Sequence, residues 1–230
     1  MIESERVLEA LSGVRDPELD QSITELGFVT SVEVEGESVS VRLRLPTYFC
    51  AANFAYLMAA DAKTAVLSVA GVREARIVLE DHFASGEIND GVGDDKGFEE
   101  AFPGEAEKGL DDLRRVFRRK GFVARQEKLC RALLRDGRTP ADLAAMRLRD
   151  LSASPDVKVY LDRRLELGLD VSPDAPFVVD GEGKPIPAEA FAEHLRFARL
   201  VGLSIEGNAG LCRGLLATRY GLPDPEEATL

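Results

Sequence analysis

The sequence predicts an α+β fold, in which a small N-terminal domain of helix, strand, strand, helix and strand precedes a mainly α-helical C-terminal domain. Three observations predict it. Residues 28–45 hold two runs of alternating apolar and polar side chains around a turn at Gly36, which is a hairpin pattern. Residues 51–69 are alanine-rich and apolar on all sides, as in a well-covered helix. From residue 110 onward, apolar side chains recur at helical spacing.

The predicted N-terminal domain spans residues 1–84. It opens with a helix over residues 2–12, followed by a turn-rich stretch that contains Pro17. After the hairpin and the long helix, Gly71 precedes a third alternating strand, VREARIVLE. Three strands backed by helices make a small α+β layer.

The next stretch is predicted to be an acidic, glycine-rich linker over residues 85–109. From residue 84 to 109 the chain holds six glycines, eight acidic residues and two lysines. This composition buries little apolar surface, as is usual in linkers. Phe98 and Phe102 are the side chains in it that could dock onto a folded domain.

The C-terminal domain, residues 110–230, is predicted to be helical. Thr139-Pro140 and Ser154-Pro155 each place an N-cap residue before a proline at the first helical position. The stretch PFVVDGEGKPIP is the exception, since it predicts a short hairpin or an extended loop.

The formal net charge of −12 is distributed unevenly along the chain. Residues 1–112 carry −15, whereas residues 113–230 carry +3. The acidic half disfavours nucleic acid as a partner, because phosphate binding uses clustered Lys and Arg. No apolar run approaches the ~20 residues of a membrane span, and no signal-peptide pattern is found. We therefore expect a cytoplasmic protein with no nucleic-acid or membrane partner.

Cys50 is the first candidate functional residue. In LPTYFCAANF it lies at the predicted start of the long helix, where the helix dipole and free N–H groups favour a thiolate. We therefore expect a lowered thiol pKa. Thr47, three residues earlier, could hydrogen-bond within the loop or cap the helix. The alternative is an inert buried cysteine. The three cysteines form no Cys-x-x-Cys and no zinc-spaced pair with histidine, so no structural zinc site is indicated.

Residues 4–83 resemble the small metal–sulfur cluster assembly domain of the PaaD/SufT-like family, whose members are iron–sulfur cluster assembly and maturation factors. The resemblance rests on Asp16-Pro17-Glu18, the Leu26-Gly27 step into a strand, Thr47, Cys50 and Gly71-Val72. It implies an α+β fold, a role in delivering or repairing iron–sulfur or related metal centres, and a reactive cysteine at Cys50. The family commonly has glycine before this cysteine and proline after it, whereas this chain has Phe49 and Ala51. The aromatic pair Tyr48 and Phe49 either shields the thiol or forms a docking surface.

Three further side chains are candidates to support Cys50. Asp16 and Glu18 either start a turn or place a carboxylate near the thiol. His82 is either a solvated surface residue or a metal ligand that joins Cys50 and Asp81. One cysteine and one histidine are too few for a closed metal site, so a second subunit, a client protein or a small thiol would have to complete it. We therefore expect transient binding of iron or of an iron–sulfur cluster, and a homodimer is one open possibility.

A basic stretch, residues 114–131, opens the C-terminal half. It is either a solvated helical face or a dock for an acidic client surface. The candidate contact residues are Arg114, Arg115, Arg118 and Arg119. Cys130 and Cys212 lie on apolar helix faces and are expected in the core, although Asn208, Cys212 and Arg213 could form a small polar site.

Together these observations predict a non-enzymatic maturation factor for iron–sulfur or other metal centres. Cys50 would take the cargo, and the helical domain would recognise a client metalloprotein, with a metal-dependent oxygenase as a specialised case. The alternative is a scaffold or interaction protein with the same fold, in which Cys50 is dispensable. A third hypothesis is a thiol enzyme with Cys50 as nucleophile, which requires a thiolate near neutral pH.

Overall fold

The computed structural model describes residues 2–104 and 110–222. These residues form two compact units. The first contains residues up to 112 together with 208–222, and the second contains residues 113–207.

The first unit is the predicted α+β domain with additions at both ends. Its elements are α1 (Ser4–Ser12), β1 (Arg15–Asp16), β2 (Gln21–Ser22), β3 (Val29–Glu35), β4 (Ser38–Arg44), α2 (Ala52–Leu67), β5 (Glu74–Glu80), α3 (Ser85–Gly93), α4 (Phe98–Ala101) and the last part of α8 (Phe191–Tyr220). The predicted order of helix, strand, strand, helix and strand is confirmed, and the fold class is α+β.

The main sheet has the order β3-β4-β5, and its topology determines where the loops meet. β3 and β4 are antiparallel, joined by a turn in which Gly36 has the left-handed φ of 64°. β4 and β5 are parallel, so the chain must cross between them, and α2 is that crossover. The register pairs Arg44 with Glu80, which places the loops after β4 and β5 at the same edge.

The core of the first unit lies between this sheet and α2. Val39, Val41 and Leu43 of β4 are buried at alternate positions, as the alternation predicted. The side chains of α2 that cover them are mostly small or unbranched. They include Ala55, Met58, Ala59, Ala62 and Val66.

The predicted linker differs from the structure over residues 85–102. This stretch forms α3 and α4, and Ile88, Phe98 and Phe102 join the core. The glycines suggested flexibility, but Gly91 serves close packing, because an added Cβ would lie 2.7 Å from the Cβ of Ala101. The remaining part of the predicted linker, residues 105–109, lies outside the described residues.

The second unit is helical, as predicted. Its elements are α5 (Asp111–Arg135), α6 (Pro140–Ala145), α7 (Pro155–Glu166), the first part of α8 and two short 3-10 helices at Leu148–Asp150 and Ala188–Ala190. Thr139 and Ser154 cap α6 and α7 as predicted, each with a side chain that accepts a backbone N–H. Isolated bridges Arg147↔Pro176 and Val179↔Pro185 mark the predicted extended stretch.

The predicted boundary of the C-terminal domain also differs from the structure. Residues 208–222 belong to the first unit, where Ala209 and Leu216 enter its core. Helical periodicity predicts a helix here but does not indicate which core it covers. None of the helices in the described ranges is long and apolar enough to cross a membrane.

Candidate functional site

Cys50 lies in the loop between β4 and α2, where it packs partly against the core and stays partly accessible. α2 begins at Ala52, and its N-cap residue is Ala51, which makes no side-chain cap. Of the two roles that the sequence left open for Thr47, the helix cap is therefore excluded. The half-buried Thr47 belongs to the same loop.

The expected lowering of the Cys50 pKa is wrong. The pKa of the Cys50 thiol is raised to about 12, mainly by burial and to a smaller extent by the nearby Asp16 and Cys212. The backbone N–H of Ala51 lowers this pKa, as expected at a helix N-terminus, but its effect is smaller than that of burial. The thiol is therefore protonated near neutral pH when no cargo is bound.

Asp16 combines the two roles that the sequence left open. Its Oδ1 accepts hydrogen bonds from the backbone N–H groups of Glu18 and Leu19, both at 2.9 Å, which confirms the turn. The side chain is only 6% exposed, and this burial raises the pKa of the carboxyl to about 6. Asp16 and Glu18 both lie close enough to Cys50 to raise the pKa of its thiol.

His82 is buried, with 3% exposure, so its expected place on the surface is wrong. The backbone N–H of Ala84 donates to Nδ1 at 3.2 Å, so Nδ1 is unprotonated and the proton lies on Nε2. Nε2 then donates to the carbonyl oxygen of Cys50 at 2.7 Å. Burial lowers the pKa of this imidazole. With both ring nitrogens engaged, His82 positions the Cys50 backbone and is not free to bind metal in this conformation.

An aromatic patch, defined as Tyr48, Phe49 and Phe83, is formed by the loop that carries Cys50 and by the loop after β5. The three side chains are 47%, 78% and 49% exposed, and their ring centroids lie 4.9 to 6.5 Å apart. The backbone N–H of Phe83 donates to the carbonyl of Tyr48 at 3.1 Å, which ties the two loops together. Phe83 was missed from the sequence. Its signal is its position directly after β5, the strand that pairs in parallel with β4.

The last part of α8 packs beside the same site. Asn208 Nδ2 donates to Glu18 Oε1 at 3.2 Å, and Arg213 Nη1 donates to Gln21 Oε1 at 3.1 Å. Arg219 donates to the carbonyl oxygens of Leu45 (3.2 Å) and Asp81 (2.6 Å), which begin the two loops of the site.

Cys212 lies on this part of α8 and is half-buried. Cys212 lies near Cys50, because it contributes to the raised pKa of the Cys50 thiol. Asp16 and Glu18 raise the pKa of both thiols. Among the described residues, no three His, Cys, Asp or Glu side chains are close enough to hold a metal ion.

The four predicted client-binding arginines all lie on α5 and belong to the second unit. Arg115 and Arg118 are exposed, whereas Arg114 and Arg119 are half-buried. The guanidinium of Arg119 lies 3.8 Å from the carboxylate of Glu182. Their role in binding a client stays a prediction.

Comparison with known proteins identifies the family. The family model described as iron-sulfur cluster assembly protein matches residues 4–77. An uncharacterized protein of Methanocaldococcus jannaschii is 36% identical over 91 residues, which are 39% of this chain and 94% of that protein. The chain belongs to the iron–sulfur cluster assembly protein family. The predicted resemblance is thereby confirmed, and residues 78–230 lie outside the match to the family model.

A second relative has a name that states a function. The iron–sulfur cluster carrier protein of Deinococcus radiodurans is 34% identical over 74 residues, which are 32% of this chain. Those residues are 21% of the carrier protein, so the chain spans about a fifth of that relative.

Proposed function

We propose that this chain is a non-enzymatic maturation factor that hands an iron–sulfur cluster, or iron, to a client metalloprotein. Cys50 is the sulfur that takes the cargo, and the aromatic patch is the surface on which the client docks. The observation that carries the proposal is the position of the patch. Three exposed, mutually packed rings lie on the two loops that also carry the half-buried Cys50 and its partner His82, at one sheet edge of the assembly-family domain. Exposed aromatic clusters of this kind are typical of binding sites.

The raised pKa of Cys50 fits transfer better than storage. Metal binding replaces the thiol proton, so the cation must compete with that proton for the sulfur. A thiol that is hard to ionise holds its cargo less tightly. A client with more basic or more numerous ligands then draws the cluster away.

Transfer kinetics test the docking part of this proposal. The chain is loaded under anaerobic conditions with ferric citrate and sulfide, then mixed with an apo [2Fe–2S] ferredoxin, whose visible absorbance reports transfer. Phe49→Glu places a charge in the patch and is expected to slow transfer. Phe197→Glu is the matched control, because Phe197 is also well exposed, at 61%, but lies in the second unit. Equal rates for the two variants would contradict the proposed docking surface.

A scaffold function is the second candidate, and the protonated state of Cys50 favours it. In that case the aromatic patch, with the basic residues Arg118 and Arg119, binds a partner while the thiol stays idle. Cys50→Ser would then leave client activity in cells unchanged, whereas Phe49→Glu or reversal of both arginine charges would remove it. Loss of client activity in Cys50→Ser would exclude the scaffold.

The thiol-enzyme hypothesis loses its basis in the structure. Nucleophilic use requires a thiolate near neutral pH, and burial holds the pKa of Cys50 at about 12. A metal-dependent oxygenase as the client stays a prediction, which the identity of proteins co-purified without oxygen would test.

A further inference from the structure

We propose that Cys212 is the second sulfur ligand of the Cys50 site, so that the last part of α8 completes a two-thiol site for a thiophilic metal. The cargo class is a ferrous ion or one iron of an iron–sulfur cluster. This inference rests on the proposed function and goes beyond it, because Cys212 lies outside the residues that the family model matches.

The helix face that carries Cys212 is the face that packs on the first unit. Asn208, Cys212, Leu216 and Arg219 follow one another at intervals of three or four residues, which places them on one stripe of α8. Leu216 is buried in the core of the first unit, and Cys212 packs against the same core as Cys50. The Cys212 side chain is therefore directed toward the domain that holds Cys50.

Polar contacts on both sides of Cys212 fix this placement. Asn208 is bonded to Glu18, in the turn that Asp16 organises, and Arg213 is bonded to Gln21. Seven residues beyond Cys212, Arg219 binds the carbonyls of Leu45 and Asp81. These acceptors belong to the segments around Cys50. These side chains thus fix the position of the last part of α8 relative to the loop that carries Cys50.

Two thiols give the site a chemistry that one cannot. Soft thiolates select ferrous iron, zinc and iron–sulfur clusters over hard cations. When a divalent metal binds, each thiol releases one proton to solvent and forms one metal–sulfur bond, with no change of oxidation state. Asp16 and Glu18 lie near both thiols, and the negative charge of these carboxylates attracts a divalent cation. Two ligands leave the remaining coordination positions open to a client, which suits transfer.

Cadmium titration of the full chain tests the site without iron chemistry. Cd²⁺ is a redox-inactive thiophilic probe, and its thiolate bonds give an ultraviolet charge-transfer band. Wild type is expected to bind one Cd²⁺ with release of one proton per thiol. Cys212→Ser and Cys50→Ser should each weaken binding by about tenfold or more and remove about half of the band. Cys130→Ser is the matched control, because Cys130 is fully buried in the second unit, and it should behave as wild type.

The outcomes separate this inference from the proposed function. If Cys212→Ser binds Cd²⁺ as wild type does while Cys50→Ser does not bind it, the assignment of Cys212 as a ligand is wrong. The proposed function then keeps a site formed by Cys50 alone. If both variants bind as wild type does, both proposals lose their site. Cys212→Ala and the circular dichroism of each variant check that a loss does not come from misfolding. As a metal-free measurement, dibromobimane should link Cys50 to Cys212 with a rise in fluorescence, and failure to link them would overturn the pairing.

Discussion

Cys50 and Cys130 have similarly raised thiol pKa values but differ in exposure and in their neighbours. Burial raises the pKa of each thiol to about 12. Cys130 is fully enclosed in the core of the second unit, whereas Cys50 stays partly accessible beside the aromatic patch, Asp16 and Cys212. A raised pKa, which burial mainly causes in both cases, therefore does not distinguish the two cysteines. The exposed rings, the second thiol and the access to solvent distinguish a candidate site from core packing.

The polar groups near the two cysteines also differ in how they are used. In the second unit, the Gln126 side chain donates to Val179 O at 2.9 Å and accepts from Val179 N at 3.0 Å. The Tyr160 hydroxyl donates to Phe177 O at 2.6 Å, and Arg164 donates to that hydroxyl at 2.9 Å. This network is satisfied within the unit and is structural. Around Cys50, by contrast, hydrogen bonds from His82 and Phe83 position the loop that carries the half-buried cysteine.

The largest effect should come from breaking the network of the second unit. Gln126→Leu keeps a similar volume but leaves the buried N–H and C=O of Val179 without partners. We expect the free energy of unfolding to fall by about 4 kcal/mol, at roughly 2 kcal/mol for each unpaired group. Urea unfolding measures this loss, and Arg118→Ala, at an exposed position, is the control. A loss no larger than in that control would contradict a structural role for the network.

Asp16 should produce the next largest effect, with a defined pH dependence. Its folded-state pKa of about 6 lies above the ordinary 3.8, so the native state holds the proton more tightly than the unfolded state. Stability from this group is present below about pH 4 and is lost as the pH rises through about 6. Asp16→Asn does not titrate, and its Oδ1 can still accept the turn hydrogen bonds. The variant should match wild type near pH 4 and exceed it by up to about 3 kcal/mol near pH 7.

Urea unfolding at several pH values measures the Asp16 effect, and Asp142 provides a control of opposite sign. The backbone N–H of Thr139 lowers the pKa of the Asp142 carboxyl, so its ionised form stabilises the cap of α6. Asp142→Asn should therefore lose stability relative to wild type at pH 7. A gap between wild type and Asp16→Asn that stays constant from pH 4 to 7 would show that Asp16 ionises normally.

A smaller effect is expected from His82. His82→Ala leaves the carbonyl of Cys50 and the N–H of Ala84 without their imidazole partner. We expect a loss of about 2 kcal/mol and faster alkylation of Cys50 by iodoacetamide, because its loop is less well held. Mass spectrometry follows the alkylation of Cys50 and of Cys130 in one sample, and Cys130 is the internal control. An unchanged ratio of the two alkylation rates would show that His82 does not position Cys50.

Local patterns predicted the scaffold of the site but not its closing contacts. Alternation in β3 and β4 and the apolar content of α2 predicted the sheet, the helix and the place of Cys50 between them. The burial of His82 depends on the parallel pairing of β4 with β5, which brings two separate loops together. The position of Cys212 depends on α8 returning to the first unit from the far end of the chain. No pattern within a short window of sequence predicts the contact of His82 with the Cys50 loop or the position of Cys212.

Two other differences have physical causes of the same kind. The pKa of Cys50 was predicted from the helix N-terminus, but the amount of burial, which outweighs that effect, is a property of the whole packed domain. Composition predicts a linker over residues 85–102, although Gly91 permits close contact with Ala101 and Tyr56. Composition reports how many glycines are present but not which backbone approaches require them.

The most direct test of the central claim compares Cys50 with Cys130 in cluster transfer. Wild type, Cys50→Ser and Cys130→Ser are offered the same ferric citrate and sulfide without oxygen, and the rate of cluster appearance on apo-ferredoxin is measured. We expect Cys130→Ser to transfer as wild type does, and Cys50→Ser to transfer at least about tenfold more slowly, a difference of about 1.4 kcal/mol in the barrier. Equal rates for the two variants would contradict the claim that Cys50 takes the cargo.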